Sequence, residues 1–196
     1  MAISQRLKAF LDGSKLKYTA AKHPVVYTAQ EIAAAQHVPG RRLAKCVLVK
    51  TRTGPVLAVL PAARLIDFKK LKGVLGTKSV SIGKEADIKQ LFPDMEVGAM
   101  SPFGNLYGVP VVVDRELSEA GDIVFNAGSH TDTIKMRYQD FAWAAKPKLG
   151  VFGLQVGGPK KKKAGAPAGK RSTSKAAKSK RRPAKKPARN KKKTKR

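Results

Sequence analysis

A chain of 196 residues with 41 Lys and Arg against 13 Asp and Glu carries a formal charge of +28, which points to polyanionic partners such as nucleic acid. One cysteine excludes an internal disulfide framework, and three scattered histidines offer no metal-ligand spacing. No apolar run approaches the roughly 20 residues needed to span a bilayer, and residues 1–10 lack the apolar stretch of a cleaved secretory signal. The expectation is a cytoplasmic protein with no cofactor, no structural metal and no membrane contact.

In chain order, Ile3, Leu7, Phe10 and Leu11 share one helical face, and Gly13 is placed to end that helix. Residues 15–22 read as a short strand. Thr28-Ala29-Gln30-Glu31 is a capping-box pattern that opens a helix through Gln36, ahead of Pro39-Gly40. Two β runs, residues 44–51 and 55–60, flank a turn with Thr53-Gly54 and predict a hairpin. Asp67 caps a helix through Leu75, and residues 84–91 predict another. Residues 109–113 read as a buried strand, and residues 122–125 and 131–136 as strands on either side of Gly128-Ser129-His130. A last helix covers residues 138–145, with Trp143 assigned to packing. The fold class expected is α+β, a mixed, largely antiparallel sheet with peripheral helices. Residues 1–152 form the domain, and the glycine-rich residues 153–158 a flexible linker.

Residues 159–196 differ in kind. They hold 19 Lys or Arg and no acid, leaving 22 cations against 13 acids for the rest. Without aromatic or large aliphatic residues, this segment cannot bury enough apolar surface to offset backbone ordering, and is expected to be a disordered tail.

Three segments suggest chemistry. Gly98-Ala99-Met100-Ser101-Pro102-Phe103-Gly104 combines glycine freedom with a fixed proline φ, which suits a stiff loop offering backbone N–H groups to a small polar ligand; a plain turn is the alternative. In the strand around Lys45, alternation places Lys45, Val47 and Val49 on one face. A partly desolvated ammonium there is a poorly screened charge, unless the side chain simply extends to water. Phe125-Asn126-Ala127-Gly128-Ser129-His130 is a strand entering a polar turn with one of the histidines, and a lone histidine is more often structural than catalytic.

In that order, Lys45, the Gly98-x-x-x-Pro102 loop and the Asn-Ala-Gly-Ser-His turn resemble the YbaK / prolyl-tRNA synthetase editing-domain family of free-standing aminoacyl-tRNA deacylases. His37-Val38-Pro39-Gly40, Leu57-Ala58-Val59-Leu60-Pro61-Ala62, Leu91-Phe92-Pro93-Asp94 and Tyr107-Gly108-Val109-Pro110 extend the likeness over residues 1–141. The resemblance implies an editing enzyme that hydrolyses the ester of a wrongly charged tRNA, with a small amino acid such as alanine on tRNA-Pro the preferred substrate. It places a pocket between the Lys45 strand and the residue 98–102 loop. Lys45 is the catalytic residue it implies, acting at the terminal ribose or the ester. Gly98, Ala99, Met100, Ser101 and Pro102 would hold the aminoacyl group or its oxyanion, and Gly128, Ser129 and His130 would line the pocket.

The ester is already activated, so positioned water and oxyanion stabilisation suffice. No Gly-x-Ser-x-Gly elbow or Cys–His pair is visible, in keeping with a reaction without a covalent intermediate. Cys46 either contacts the aminoacyl group or packs; as a nucleophile it lacks a neighbouring base. In the tail, Lys160, Lys161, Lys162, Lys163, Lys170, Arg171, Lys180, Arg181, Arg182, Lys185, Lys186, Lys191, Lys192 and Lys193 are the nucleic-acid-binding candidates. They would tether tRNA through its phosphates, and non-specific DNA or rRNA by the same charge. A transient contact with a synthetase is a further expectation. The competing reading is a histone-like or ribosome-associated nucleic-acid-binding protein that keeps a deacylase-like domain as scaffold.

Overall fold

The computed structural model describes residues 3–155. In chain order the elements are α1 (Gln5–Gly13), β1 (Tyr18–Lys22), α2 (Ala29–Ala35), β2 (Ala44–Thr51), β3 (Gly54–Pro61), β4 (Arg64–Ile66), α3 (Phe68–Leu75), β5 (Val80–Ile82) and α4 (Glu85–Leu91). A 3-10 turn (Gly104–Tyr107) leads into β6 (Val111–Asp114), α5 (Arg115–Ser118), β7 (Asp122–Asn126), β8 (Asp132–Arg137), α6 (Tyr138–Ala145), β9 (Lys148–Gly150) and β10 (Gly153–Gln155). The α+β class holds, but the strands divide among three sheets rather than one. A five-stranded sheet has the order β5-β2-β3-β6-β9, a three-stranded sheet β1-β8-β7, and β10 pairs with β4. Antiparallel pairing dominates; β3–β6 and β6–β9 are the parallel pairs.

Local chemistry explains the elements. Thr28 Oγ1 accepts from the Glu31 N–H while the Glu31 carboxylate accepts from the Thr28 N–H, so α2 opens on a reciprocal cap. Asp67 Oδ1 accepts from the N–H groups of Lys69 and Lys70 and starts α3. The β2–β3 hairpin closes with Thr51 opposite Gly54, and the glycine's φ of +132° is one that a side chain would disfavour.

Alternation along β2 sorts its residues between two apolar clusters. Ala44, Cys46 and Leu48 face the main core, with Leu7, Phe92, Met100, Phe103, Phe125 and Phe141. Val47 and Val49 face a smaller cluster under α3 that includes Leu60, Leu71 and Phe152. A third cluster under α2 joins Ile32 to Leu43, Ala62 and Val124.

Two expectations are corrected. Trp143 is not packed but 66% exposed, because the buried side of α6 runs through Tyr138, Phe141 and Ala145 and a residue two places from Phe141 points away. Gly153–Gln155 is not linker: it is β10, in register with β4 from Gly153 opposite Ile66 to Gln155 opposite Arg64. The Asp114 carboxylate secures it, accepting from the N–H groups of Phe152 and Gly153 at 2.8 and 2.6 Å. Residues 156–158 of the expected linker, and the whole basic tail, lie outside the described residues.

Candidate active site

Lys45 stands where the apolar cover of β2 is interrupted. Leu43, two residues before it, packs in the cluster under α2, and Val47, two residues after it, packs against the cluster under α3. Between them the Lys45 side chain is only part-buried, and its ammonium donates to the backbone carbonyls of Arg64 and Ala62. Desolvation lowers its pKa from the ordinary lysine value. A cation held by carbonyl dipoles keeps its charge for an incoming anion, because no carboxylate is among these hydrogen-bond partners.

The glycine loop and the histidine turn form one unit. The Gly128 N–H donates to the Ala99 carbonyl at 3.1 Å, and the Glu96 N–H donates to the Gly128 carbonyl at 2.9 Å. The His130 N–H donates to a Glu96 carboxylate oxygen at 2.8 Å. His130 Nε2 lies 3.0 Å from the Val97 carbonyl, an oxygen that can only accept, so this nitrogen carries a proton. In the neutral ring Nδ1 is then a lone-pair acceptor, buried and without a partner among the described residues. Gly98 approaches the ring closely: a Cβ built on it would lie 3.4 Å from His130 Cε1, and its φ is +89°. The exposed ring of Tyr27, at the entrance to α2, contacts His130 with centroids 4.9 Å apart.

The other loop residues contribute backbone rather than side chains. Ala99 and Met100 are buried in the core, and Ser101 and Pro102 are buried too. The expectation of open N–H groups holds for part of the loop only. The Ala99 N–H bonds the Glu96 carbonyl, the Ser101 N–H bonds Met95 Sδ, and proline has none. Gly98 and Met100 retain the N–H groups without an internal acceptor among the described residues. Ser101 Oγ is buried and has no hydrogen-bond partner among the described residues.

Ser129 is fully buried and donates to Asp132 at 2.7 Å; Thr131 does the same. Burial works against ionisation of Asp132, yet these two donors together with nearby positive charge, Lys22 included, outweigh it and hold its pKa below the ordinary carboxylate value. Ser129 thus builds the turn. Cys46 faces the main core on the side of β2 opposite Lys45, and burial pushes its thiol well up, which leaves it protonated and inert.

Hydrogen bonds join residues 96–99 to residues 128–130, and among the described residues none joins Lys45 to either segment. The entrance of α2 contacts His130 through Tyr27, and Ile32 within it packs with Leu43 and Ala62, which adjoin the ends of β2 and β3 nearest Lys45. Tyr27 and Glu96 were not singled out from sequence. Glu96 lies two residues before Gly98 and Tyr27 immediately before the α2 cap, but neither spacing reports which loop each side chain meets. Among the described residues no group of three or more His, Cys, Asp or Glu is arranged to hold a metal ion, and no helix is long and apolar enough to cross a membrane.

Comparisons with known proteins bear on this geometry. The "Prolyl-tRNA editing protein ProX" of Acetoanaerobium sticklandii is 27% identical over 158 residues, covering 78% of this chain and 96% of that protein. A "Proline--tRNA ligase" of Thermosipho africanus is 33% identical over 81 residues, 41% of this chain but only 14% of the ligase. The chain thus spans about a seventh of that ligase. A crystal structure of a candidate trans-editing enzyme for prolyl tRNA synthetase superposes with a TM-score of 0.69 at 15% identity, covering 77% of this chain and 96% of the other. The crystal structure of hypothetical protein APE2540 gives 0.70 at 16% identity, covering 76% and 100%. These two likenesses show a shared fold. Residues 23–143 match the aminoacyl-tRNA editing domain, and with well over half of its length matched the chain belongs to that family.

Proposed function

We propose that this chain is a trans-editing hydrolase that cleaves the ester joining a wrong amino acid to tRNA. The observation that carries the reading is the Lys45 ammonium, part-buried at a break in the apolar cover and held, among the described residues, by the Ala62 and Arg64 carbonyls. Membership of the editing-domain family and the likeness to the prolyl-tRNA editing protein support it.

Hydrolysis adds water to the ester carbonyl and releases a free amino acid and a ribose hydroxyl. Lys45 neutralises charge at the terminal ribose–phosphate or at the developing oxyanion, where low local dielectric strengthens the attraction. The free N–H groups of Gly98 and Met100 are the backbone donors for the aminoacyl group. Through the Nε2 bond to the Val97 carbonyl, His130 holds the loop that presents the Gly98 N–H to the substrate. Cys46 takes no part.

The preferred substrate is a small amino acid on tRNA-Pro. A synthetase pocket for proline rejects smaller residues by only about 1–3 kcal/mol per methylene, so a second site has a selective task. The matches to stretches of proline ligases support a transient synthetase contact. The cationic tail supplies non-specific attraction to tRNA, and to DNA or rRNA by the same charge. Assaying release of the amino acid from charged tRNA, with Lys45→Ala alongside, tests the reading. Loss of release of on the order of 100-fold or more in the variant is the expected result; unchanged release removes Lys45 from the mechanism.

A further inference from the structure

We infer that the outer face of the β1-β8-β7 sheet is a binding trough for the sugar-phosphate backbone of an RNA strand, the acceptor strand of tRNA if the proposed function holds. The inner face of this sheet supplies Ile123, Phe125, Ile134 and Met136 to the core. Alternation sends the intervening residues outward, and register sets Thr19 beside Lys135, which in turn faces Val124. Two hollows of about 310 and 290 Å³ lie on this face and share Thr19, Asp122 and Lys135, so they form one continuous trough. One end is closed by Gln36, His37, Val38 and Pro39 just beyond α2, with Arg42 beside them; the other end is flanked by Lys17 and Arg137.

The chemistry of the lining selects the occupant. Lys17, Arg42, Lys135 and Arg137 are all exposed, whereas Asp122 is the one carboxylate among the residues lining the two hollows. Asp122 pairs with Lys135 at 3.3 Å and sets its position. The floor is of small side chains, Thr19, Ala21 and a buried Thr133 whose hydroxyl donates to the Ala21 carbonyl; it admits a ribose and leaves the exposed Thr19 hydroxyl as a donor to phosphate. No Phe or Trp lines either hollow, and Tyr18 in the 290 Å³ hollow is only half-buried with its hydroxyl donated to Asp12, so neither hollow offers a large apolar anchor for a protein partner. The trough also leads toward the candidate active site. Arg42 is three residues from Lys45, about 10 Å of extended chain. The seven residues of α2, about 10 Å of helix, separate the trough end from Tyr27 and His130.

The test uses the full chain and an uncharged acceptor-stem hairpin RNA with a single-stranded 3′ end, so its result does not depend on hydrolysis. Lysine acylation is followed residue by residue, with and without the RNA. Lys135 and Lys17 are expected to be protected at least fivefold while Lys69 and Lys70, exposed on α3, react as before. Equal labelling of Lys135 with and without RNA, or protection confined to the tail lysines, overturns the trough. A variant carrying Arg42→Glu and Lys135→Glu is expected to bind the hairpin about tenfold more weakly at 0.1 M salt. Its salt slope should be shallower by about 1.5, as expected for two lost phosphate contacts; unchanged affinity and slope overturn the assignment. Protection of Lys135 in a protein that cleaves no ester retains the trough and removes the editing reading.

Discussion

Single residues carry the sharpest consequences. Gly98 combines a φ of +89° with an approach to His130 that a Cβ would tighten to 3.4 Å. Gly98→Ala is therefore expected to lose about 1–2 kcal/mol by thermal unfolding and to disturb His130 as well. Cys46→Ala, by contrast, should leave ester hydrolysis within about twofold, and the native thiol should resist thiol reagents until the protein unfolds. Asp132 gives a pH prediction. Its folded pKa is held below the ordinary value near 3.8, so the native state binds fewer protons than the unfolded chain in that range. The stability it contributes is complete above that value and is lost as the pH falls through the folded pKa. Acid titration of Asp132→Asn, followed by circular dichroism, should show lower stability at pH 6 and a flatter decline below pH 4.

At this scale Lys45, the glycine loop and His130 stand out in the sequence only as single weak signals, and it is their joint order, through the family resemblance, that assigns them to a site. Sequence reading did not give Ser129 its structural task or choose between substrate contact and packing for Cys46, which is part-buried against the main core. Both depend on where a side chain points: Ser129 bonds Asp132 across a turn, and Cys46 lies one step of alternation away from Lys45.

Among the elements, those with local signals were legible and those made by tertiary pairing were not. The α2 cap and the β2–β3 hairpin follow from residues three or four apart, and both stand as expected. The strands β4, β9 and β10 have three residues each and exist because distant segments meet: β10 on β4, and β9 on β6. Glycines at 153, 157 and 158 suggested a linker, but Asp114 captures the first of them. Thr28→Ala should cost about 1 kcal/mol of stability by removing the acceptor at the α2 cap, and with it the fixed position of Tyr27 against His130. Gly150→Ala should cost about 1–3 kcal/mol, since its Cβ would sit 2.4 Å from Val74 Cγ1 in the wall of the α3 cluster. Melting temperatures check both.

For the molecule as a whole, charge and fold divide the work. The described residues build three sheets around one main core and two smaller clusters, and the breaks between these clusters position the site. Residues 159–196 hold 19 of the 41 Lys and Arg and no acid, and the contribution proposed for them is electrostatic attraction without base readout. Truncation after Gly158 is expected to weaken tRNA binding and flatten its salt slope while the folded domain retains its cleavage chemistry; unchanged binding would remove the tether from the account. The central claim concerns that chemistry. The most direct measurement is deacylation of a tRNA panel charged with proline, alanine, serine, threonine or cysteine, using intact protein and Lys45→Ala at one salt concentration. The account predicts selective release from one wrongly charged species, lost in the variant. Tight tRNA binding with release from none of them would contradict it and leave nucleic-acid binding as the function.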